Sequence, residues 1–403
     1  MPQLSKKGIK LPTSPIRKLV VFSDEAKAKG IEVLHLNIGQ PDIEAPKEAI
    51  EAVKNAPLKL LPYGPSQGEL SYRQKLSKYY QKNNITVSPD DILVTTGASE
   101  ALTFALNSIC DAGDEIIIPE PFYANYNGFA SAASVRVVPV ISEFNTRFQL
   151  PALENINDKI TPKTKAILLC NPSNPTGYVY SKKEITTLCE LAIEHNIFLI
   201  VDEVYREFIH GDIKHYSVLR HLDGAEHTVM IDSVSKRYSL CGARVGCIVS
   251  KNKELIKNIL KFAHLRLSPP TYALIASEAA LDAPDSYLQG VITEYGKRRD
   301  LLIHALEQIP DVEVSHPMGA FYCIVKLPVD DAEAFSKFLL TSFHDQGQTV
   351  MLAPATGFYS SPGVGTNEVR IAFILDREKL LRAAAILKQG LEAYKKIYFE
   401  TTA

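Results

Sequence analysis

Lys236 stands among hydroxyls in Ser233-Val234-Ser235-Lys236, and Arg244 follows it between Gly242 and Gly246. A lysine amine condenses with an aldehyde to form a Schiff base. An arginine and neighbouring hydroxyls can hold a phosphate. Pyridoxal 5'-phosphate is a small molecule that carries both groups. Alone, the segment reads equally well as an ordinary loop. The choice depends on whether the chain supplies the remaining parts of such a site.

Several other positions carry suitable groups. Gly97-Ala98-Ser99 follows an apolar run and opens a helical pattern. Free N–H groups and the helix dipole at such a junction favour a phosphate, although glycine and serine there also make an ordinary N-cap. Asn174 lies in the stiff turn 171–177, rich in Asn, Pro and Gly. It could donate to a cofactor oxygen or simply shape the turn. Asp202 ends the apolar run 197–201. A carboxylate so placed needs a partner; a protonated pyridine nitrogen, a helix cap or a structural ion pair would each serve. Tyr205, three residues on, can reach the ring hydroxyl oxygen or pack as an aromatic. Arg370 interrupts the apolar stretch 368–373. It suits either a substrate carboxylate, gripped in bidentate fashion, or a strand-edge salt bridge.

These residues need a frame. Short apolar runs at 92–96, 115–118, 135–138, 166–170, 197–201, 229–231 and 245–249 read as buried strands. Between them, 99–110 and 182–195 have helical spacing, with Leu102, Ala105, Leu106 and Ile109 on one face of the first. The pattern is α/β: a mostly parallel central sheet with helices on both faces. Ligands of such sheets bind at the carboxyl ends of the strands. From about 290 the texture changes to a smaller α+β domain. It has helices at 295–308, 331–343 and 376–398 and strands at 312–314, 320–325, 349–352 and 368–373. The expected division is an arm at 1–46, packing with the small domain or a partner subunit, a large domain at 47–290 and a small domain at 291–403.

Composition excludes other classes. A net charge of -2 over 403 residues gives no electrostatic case for nucleic acid or an anionic membrane. No apolar run approaches the ~20 residues of a membrane-spanning helix. Residues 1–25 lack the apolar core of a secretory signal. Cys110, Cys170, Cys189, Cys241, Cys247 and Cys323 are scattered, with no CxxC pair. They read as reduced thiols of a cytoplasmic protein, with no metal site. Cys241 and Cys247, which flank Arg244, read as packing residues.

Taken in order, the pieces resemble the class I aminotransferases of pyridoxal-phosphate fold type I, aspartate aminotransferase-like. They are Gly39-Gln40-Pro41-Asp42, Tyr63-Gly64-Pro65-Ser66-Gln67-Gly68, Gly97-Ala98-Ser99, Asn174-Pro175-Thr176-Gly177, Asp202-Glu203-Val204-Tyr205, Ser233 to Lys236, Arg244 and Arg370. The resemblance implies that Lys236 carries pyridoxal 5'-phosphate as a Schiff base and that Asp202 pairs with the pyridine nitrogen. Tyr205 and Asn174 then bond the ring oxygen, and Ala98, Ser99, Ser233 and Arg244 hold the phosphate. Tyr123 takes the place of a stacking aromatic, often Trp, of which this chain has none. Tyr63 reaches the phosphate of the neighbouring subunit of a homodimer with shared sites. Gly39 and Arg370, assisted by Asn174, bind the substrate α-carboxylate. The Glu120–Pro121 and Asn174–Pro175 bonds are candidates for cis geometry.

The implied activity moves an amino group between an L-amino acid and a 2-keto acid. A dicarboxylate substrate needs a second cation, for which Arg266 is a candidate or else a surface arginine. Tyr123, Tyr126 and Phe358 would equally line an aromatic-accepting pocket. A C–S lyase or decarboxylase on the same scaffold would keep every cofactor residue. A regulatory module would need a DNA-binding domain, and only about 45 residues precede the catalytic part. A nicotinamide dehydrogenase is disfavoured because no G-x-G-x-x-G follows the first strand.

Overall fold

The structure is a computed structural model that describes residues 2–398 apart from 13, 15, 16 and 222. In chain order its strands begin with β1 (Glu32–His35), β2 (Ile92–Thr95), β3 (Glu115–Glu120), β4 (Arg136–Ile141) and β5 (Thr164–Cys170). Next come β6 (Phe198–Asp202), β7 (Thr228–Ser233), β8 (Gly246–Val249) and β9 (Glu313–Val314). The last are β10 (Tyr322–Lys326), β11 (Gln348–Met351), β12 (Ala353–Pro354) and β13 (Glu368–Ala372). Seven strands form one sheet in the order β2-β8-β7-β6-β5-β3-β4. Only β8 runs against its neighbours β2 and β7; the pairings from β7 to β4 are all parallel.

All seven expected strands form, because both faces of the sheet are covered. Side chains alternate between faces along a strand. Ile116, Leu168, Ile200, Val229, Ile231 and Ile248 belong to one apolar cluster, while Ile117, Ile167, Leu199, Val201, Met230 and Cys247 belong to another. Double coverage removes the polar alternation of a half-exposed strand and leaves continuous apolar runs. The first cluster continues into the C-terminal part through Tyr322, Val325, Ile371 and Phe373.

That part holds the antiparallel sheet β12-β13-β10-β9. The helix expected at 295–308 begins ten residues earlier, as Asp285–Glu307. Val291, Tyr295, Arg298, Leu302 and Leu306 are buried at helical spacing, a stripe that carries it past Gly290 and Gly296. At the N-terminal end, where no rhythm is legible, the helices Lys6–Lys10 and Val20–Ala28 form. The second packs through Leu19 and Ala26 on Leu340 and Met351, and β1 pairs in parallel with β11. All six cysteines are free thiols, and Cys241 alone is not buried.

Candidate active site

Strand register collects the polar groups at one edge of the large sheet. Cys170 sits opposite Asp202, Asp202 opposite Ile231, and both Ser233 and Thr95 opposite Gly246. The carboxyl ends of β2, β5, β6 and β7 therefore lie side by side. A cavity of about 820 Å³ opens there. Gly39, Ala98, Ser99, Tyr123, Asn174, Asp202, Tyr205, Ser233, Lys236, Arg244 and Arg370 line it. Of the residues that the resemblance assigns to the cofactor and the α-carboxylate, Tyr63 is the one that does not.

One end of the cavity suits a phosphate. The helix Gly97–Ile109 begins with Gly97 at φ 76°, a left-handed conformation that favours glycine. A Cβ there would come within 2.3 Å of Arg244 Nη2, and one on Gly246 within 2.7 Å of the Ala98 nitrogen. Both glycines therefore let a guanidinium and two backbones crowd round the helix N-terminus. Arg244 Nη1 donates to the Cys241 carbonyl at 2.9 Å. Ser233 Oγ lies 2.8 Å from both Ser235 Oγ and the Val245 carbonyl. Helix N–H groups, hydroxyls and a guanidinium fit a phosphate dianion.

Asp202 lies deeper. It accepts from Tyr126 Oη at 2.9 Å and from the Val204 N–H at 3.3 Å. Burial pushes its pKa up to about 6. Tyr205 Oη is 2.9 Å from Tyr322 Oη. Lys236 Nζ donates to the Gly39 carbonyl at 2.7 Å and lies 3.9 Å from Cys241 Sγ. Burial holds the Lys236 ammonium below the ordinary lysine range.

Arg370 rises from β13 in the small sheet and is fully buried. Its Nη1 donates to Asn174 Oδ1 at 3.0 Å and its Nη2 to the Asn37 carbonyl. The rings of Tyr322 and Phe358 lie 4.5 and 4.8 Å from its guanidinium carbon. Its Nε has no hydrogen-bond partner among the described residues. Burial lowers its pKa too. Asn174 stands in a loop whose Asn171–Pro172 and Asn174–Pro175 bonds are cis, as is Glu120–Pro121; the first of these was not anticipated.

Other expectations fare differently. Tyr63 is 81% exposed, outside the cavity. Arg266 is engaged elsewhere: it donates to the carbonyls of Ser66 and Val94 at 3.0 and 3.2 Å and faces Glu100 at 3.5 Å. Tyr126 is buried against Asp202 and Phe358 behind Arg370, so neither lines the cavity. Cys241, read as packing, lines the cavity beside Lys236. Sequence reasoning passed over Tyr322, whose hydroxyl would meet a Cβ on Gly39 at 1.7 Å. It also passed over Asn37 and Arg17, which line the same cavity. An aromatic in an apolar strand reads as core, and an arginine in a stretch without rhythm reads as surface.

The seven-strand, mostly parallel sheet with a smaller antiparallel sheet is the fold of the type I pyridoxal-phosphate-dependent transferases, as in aspartate aminotransferase. The chain belongs to the aminotransferase class I and II family, whose model matches residues 31–387, and it is an aminotransferase. The family depends on pyridoxal phosphate. The chain is 30% identical over 399 residues to aspartate aminotransferase of Pyrococcus horikoshii, covering 97% of this chain and 98% of that protein. Aspartate aminotransferase from Thermus thermophilus with maleate superposes with a TM-score of 0.88 at 28% identity, over 97% of this chain and 100% of that one. Alanine aminotransferase from Pyrococcus furiosus does so at 0.87 and 29%, with the same coverage. Among the described residues no helix is long and apolar enough to cross a membrane.

Proposed function

We propose that the chain moves an amino group between an L-amino acid (aspartate, an aromatic amino acid or a similar one) and a 2-keto acid such as 2-oxoglutarate. Pyridoxal 5'-phosphate would be held through Lys236. The observation that carries this reading is the electrostatic state of three buried groups around one cavity. Burial raises Asp202 to about 6 and lowers both Lys236 and Arg370. Each pays for desolvation without a full counter-charge. A cationic ring nitrogen, an aldehyde and a substrate carboxylate are the respective partners that chemistry offers.

Bound there, the cofactor supplies the aldehyde that condenses with an amine and the ring that draws electrons from Cα. The protein supplies the rest. Asp202 meets the ring nitrogen, Tyr205 and Asn174 the ring oxygen, and Tyr123 the ring face. Ala98, Ser99, Ser233 and Arg244 hold the phosphate. Arg370 and Gly39, with Asn174, fix the α-carboxylate and so orient the Cα–H bond. Lys236, kept readily deprotonated by burial, acts as nucleophile and then moves the Cα proton as general base and acid.

The reading includes a cytoplasmic homodimer and the division into an arm (1–46), a large domain (47–290) and a small domain (291–403). Tyr63 projects beside Leu60 and Leu61, which are 76% and 56% exposed. Such an apolar surface suits a second copy, whose phosphate Tyr63 would reach.

The test is Lys236→Ala. Turnover should fall at least about 10⁴-fold, and the lysine-linked cofactor absorption should vanish. Transamination at the wild-type rate in that variant overturns the proposal. Assay of both the released keto acid and amino-group transfer separates it from lyase or decarboxylase chemistry.

A further inference from the structure

We infer that Glu120 is a positioning residue for Arg370. It pins the segment 355–361, whose Phe358 ring backs the guanidinium, and so sets how tightly a carboxylate is gripped. The inference rests on the role proposed above for Arg370. Glu120 ends β3 and is fully buried, yet it lies outside the cavity lining. Its Oε2 accepts from the N–H groups of Ser360 and Ser361 at 2.6 and 3.2 Å. Its Oε1 has no hydrogen-bond partner among the described residues. A buried carboxylate is costly unless it is bonded. Two backbone donors on one charged oxygen make a charge-assisted tie, and this one joins the large sheet to the segment beside Arg370.

Other contacts focus that tie on Phe358. The Phe122 N–H bonds the Phe358 carbonyl at 2.9 Å, and Ser360 Oγ donates to Asn127 Oδ1 at 2.9 Å. Phe358 belongs to a small apolar cluster with Ala124, Phe148, Ile324, Ala353 and Tyr359. Ile324 and Ala353 sit opposite Arg370 in the register, so their side chains share its face of the small sheet. Tyr359 Oη donates at 2.7 Å to Glu368, two residues before Arg370 on β13. Both Nη atoms of Arg370 are hydrogen-bonded, but its Nε has no partner among the described residues. Ring packing therefore fixes that part of the guanidinium, with the Phe358 ring 4.8 Å from its carbon. Without Glu120 the segment loosens and Phe358 with it. A less ordered guanidinium must then be ordered by the ligand, which costs affinity.

The test uses the holoenzyme. Calorimetry gives the dissociation constants of maleate and 3-phenylpropionate, and steady-state assays give KM and kcat for L-aspartate and L-phenylalanine. Glu120→Gln keeps the size and one acceptor but not the charge, and should raise the dissociation constants and KM about 3- to 10-fold. Glu120→Ala should raise them about 10- to 100-fold; should that variant not fold, Glu120→Gln carries the test alone. In both, kcat should change less than about threefold, and the lysine-linked cofactor absorption should keep its wavelength. In a Phe358→Leu background Glu120→Gln should cost less than about twofold, because the relay is already gone. Unchanged carboxylate affinity in the Glu120 variants overturns the inference, and so does a full, additive loss on top of Phe358→Leu. An equal weakening of cofactor binding also overturns it, since Glu120 would then support Tyr123. A wild type that binds neither carboxylate overturns it as well. Carboxylate binding that depends on Glu120, in a protein that transfers no amino group, keeps this inference and sinks the proposed function.

Discussion

Two aspartates end adjacent strands of the large sheet, and their surroundings are opposite. Asp202 closes β6 and Asp232 lies one residue short of the end of β7. Each is buried, and each accepts a hydrogen bond from a tyrosine, Asp202 from Tyr126 and Asp232 from Tyr80. Asp202 sits opposite Ile231 in the register, so Asp232 is one step further along and points to the other face. On the cavity face, burial dominates and lifts Asp202 to about 6. On the far face, burial would lift Asp232 as well, but Arg206 and Arg237 together hold it low. Arg237 Nη2 lies 2.7 and 2.6 Å from its two oxygens, and Arg206 Nη2 lies 2.6 Å away. Burial opposes both guanidinium charges, yet Asp232 and Glu207 raise the two pKa values further. On the far face two guanidiniums answer the Asp232 charge; the cavity face leaves the Asp202 charge for a ligand.

The same substitution should therefore have opposite signs on the two faces. Asp232→Asn leaves Arg206 and Arg237 facing each other with too little counter-charge. The expected loss is about 3–5 kcal/mol, the range for breaking a buried ion pair from one side. Denaturant unfolding of the cofactor-free protein measures it. Because Arg237 adjoins Lys236, cofactor binding should weaken along with stability. A loss under 1 kcal/mol would mean that the far cluster does not hold itself together by charge.

Both aspartates were equally visible in the sequence, as a carboxylate after an apolar run, yet only Asp202 drew a functional reading. The runs 197–201 and 229–231 give the same cue. What separates them is parity across a sheet whose register comes from strands far apart in the chain, and no local pattern carries it. The strands themselves were legible because double coverage makes them uniformly apolar. Arg370 was legible as a cation in such a strand. Tyr322 was not, since its role depends on Gly39 leaving room for its hydroxyl. Arg266 misled because an arginine near the expected place says nothing of the carbonyls of Ser66 and Val94 that take its protons.

Asp202→Asn should stabilise the cofactor-free chain. A shift from 3.8 to about 6, which already includes the hydrogen bonds to the charged form, corresponds to about 3 kcal/mol. The gain is about 3 kcal/mol at pH 8, while turnover falls about 100-fold. The raised pKa fixes the sign with pH. The Asp202 contribution is fully present below about 4 and is lost as pH rises through about 6. The advantage of the variant should accordingly shrink toward zero as pH drops from 8 to below 5. Thermal unfolding across that range checks it. An advantage that stays constant with pH would show that the carboxylate's charge is not the cause.

The two tyrosines give the smallest and sharpest contrast. Tyr126→Phe removes the one side-chain donor that Asp202 has among the described residues, at 2.9 Å. The Asp202 pKa should then climb further, carrying the upper edge of the pH-dependent loss of stability above 6 by about one unit. Tyr80→Phe removes a donor at 2.7 Å from Asp232, but two arginines remain on the same carboxylate. That variant should lose about 1 kcal/mol at every pH without moving the pH window. Stability against pH for the two variants, both cofactor-free, decides the matter. If Tyr80→Phe moves the window and Tyr126→Phe does not, then the tyrosine, and not the presence or absence of a counter-cation, sets the difference between the two faces.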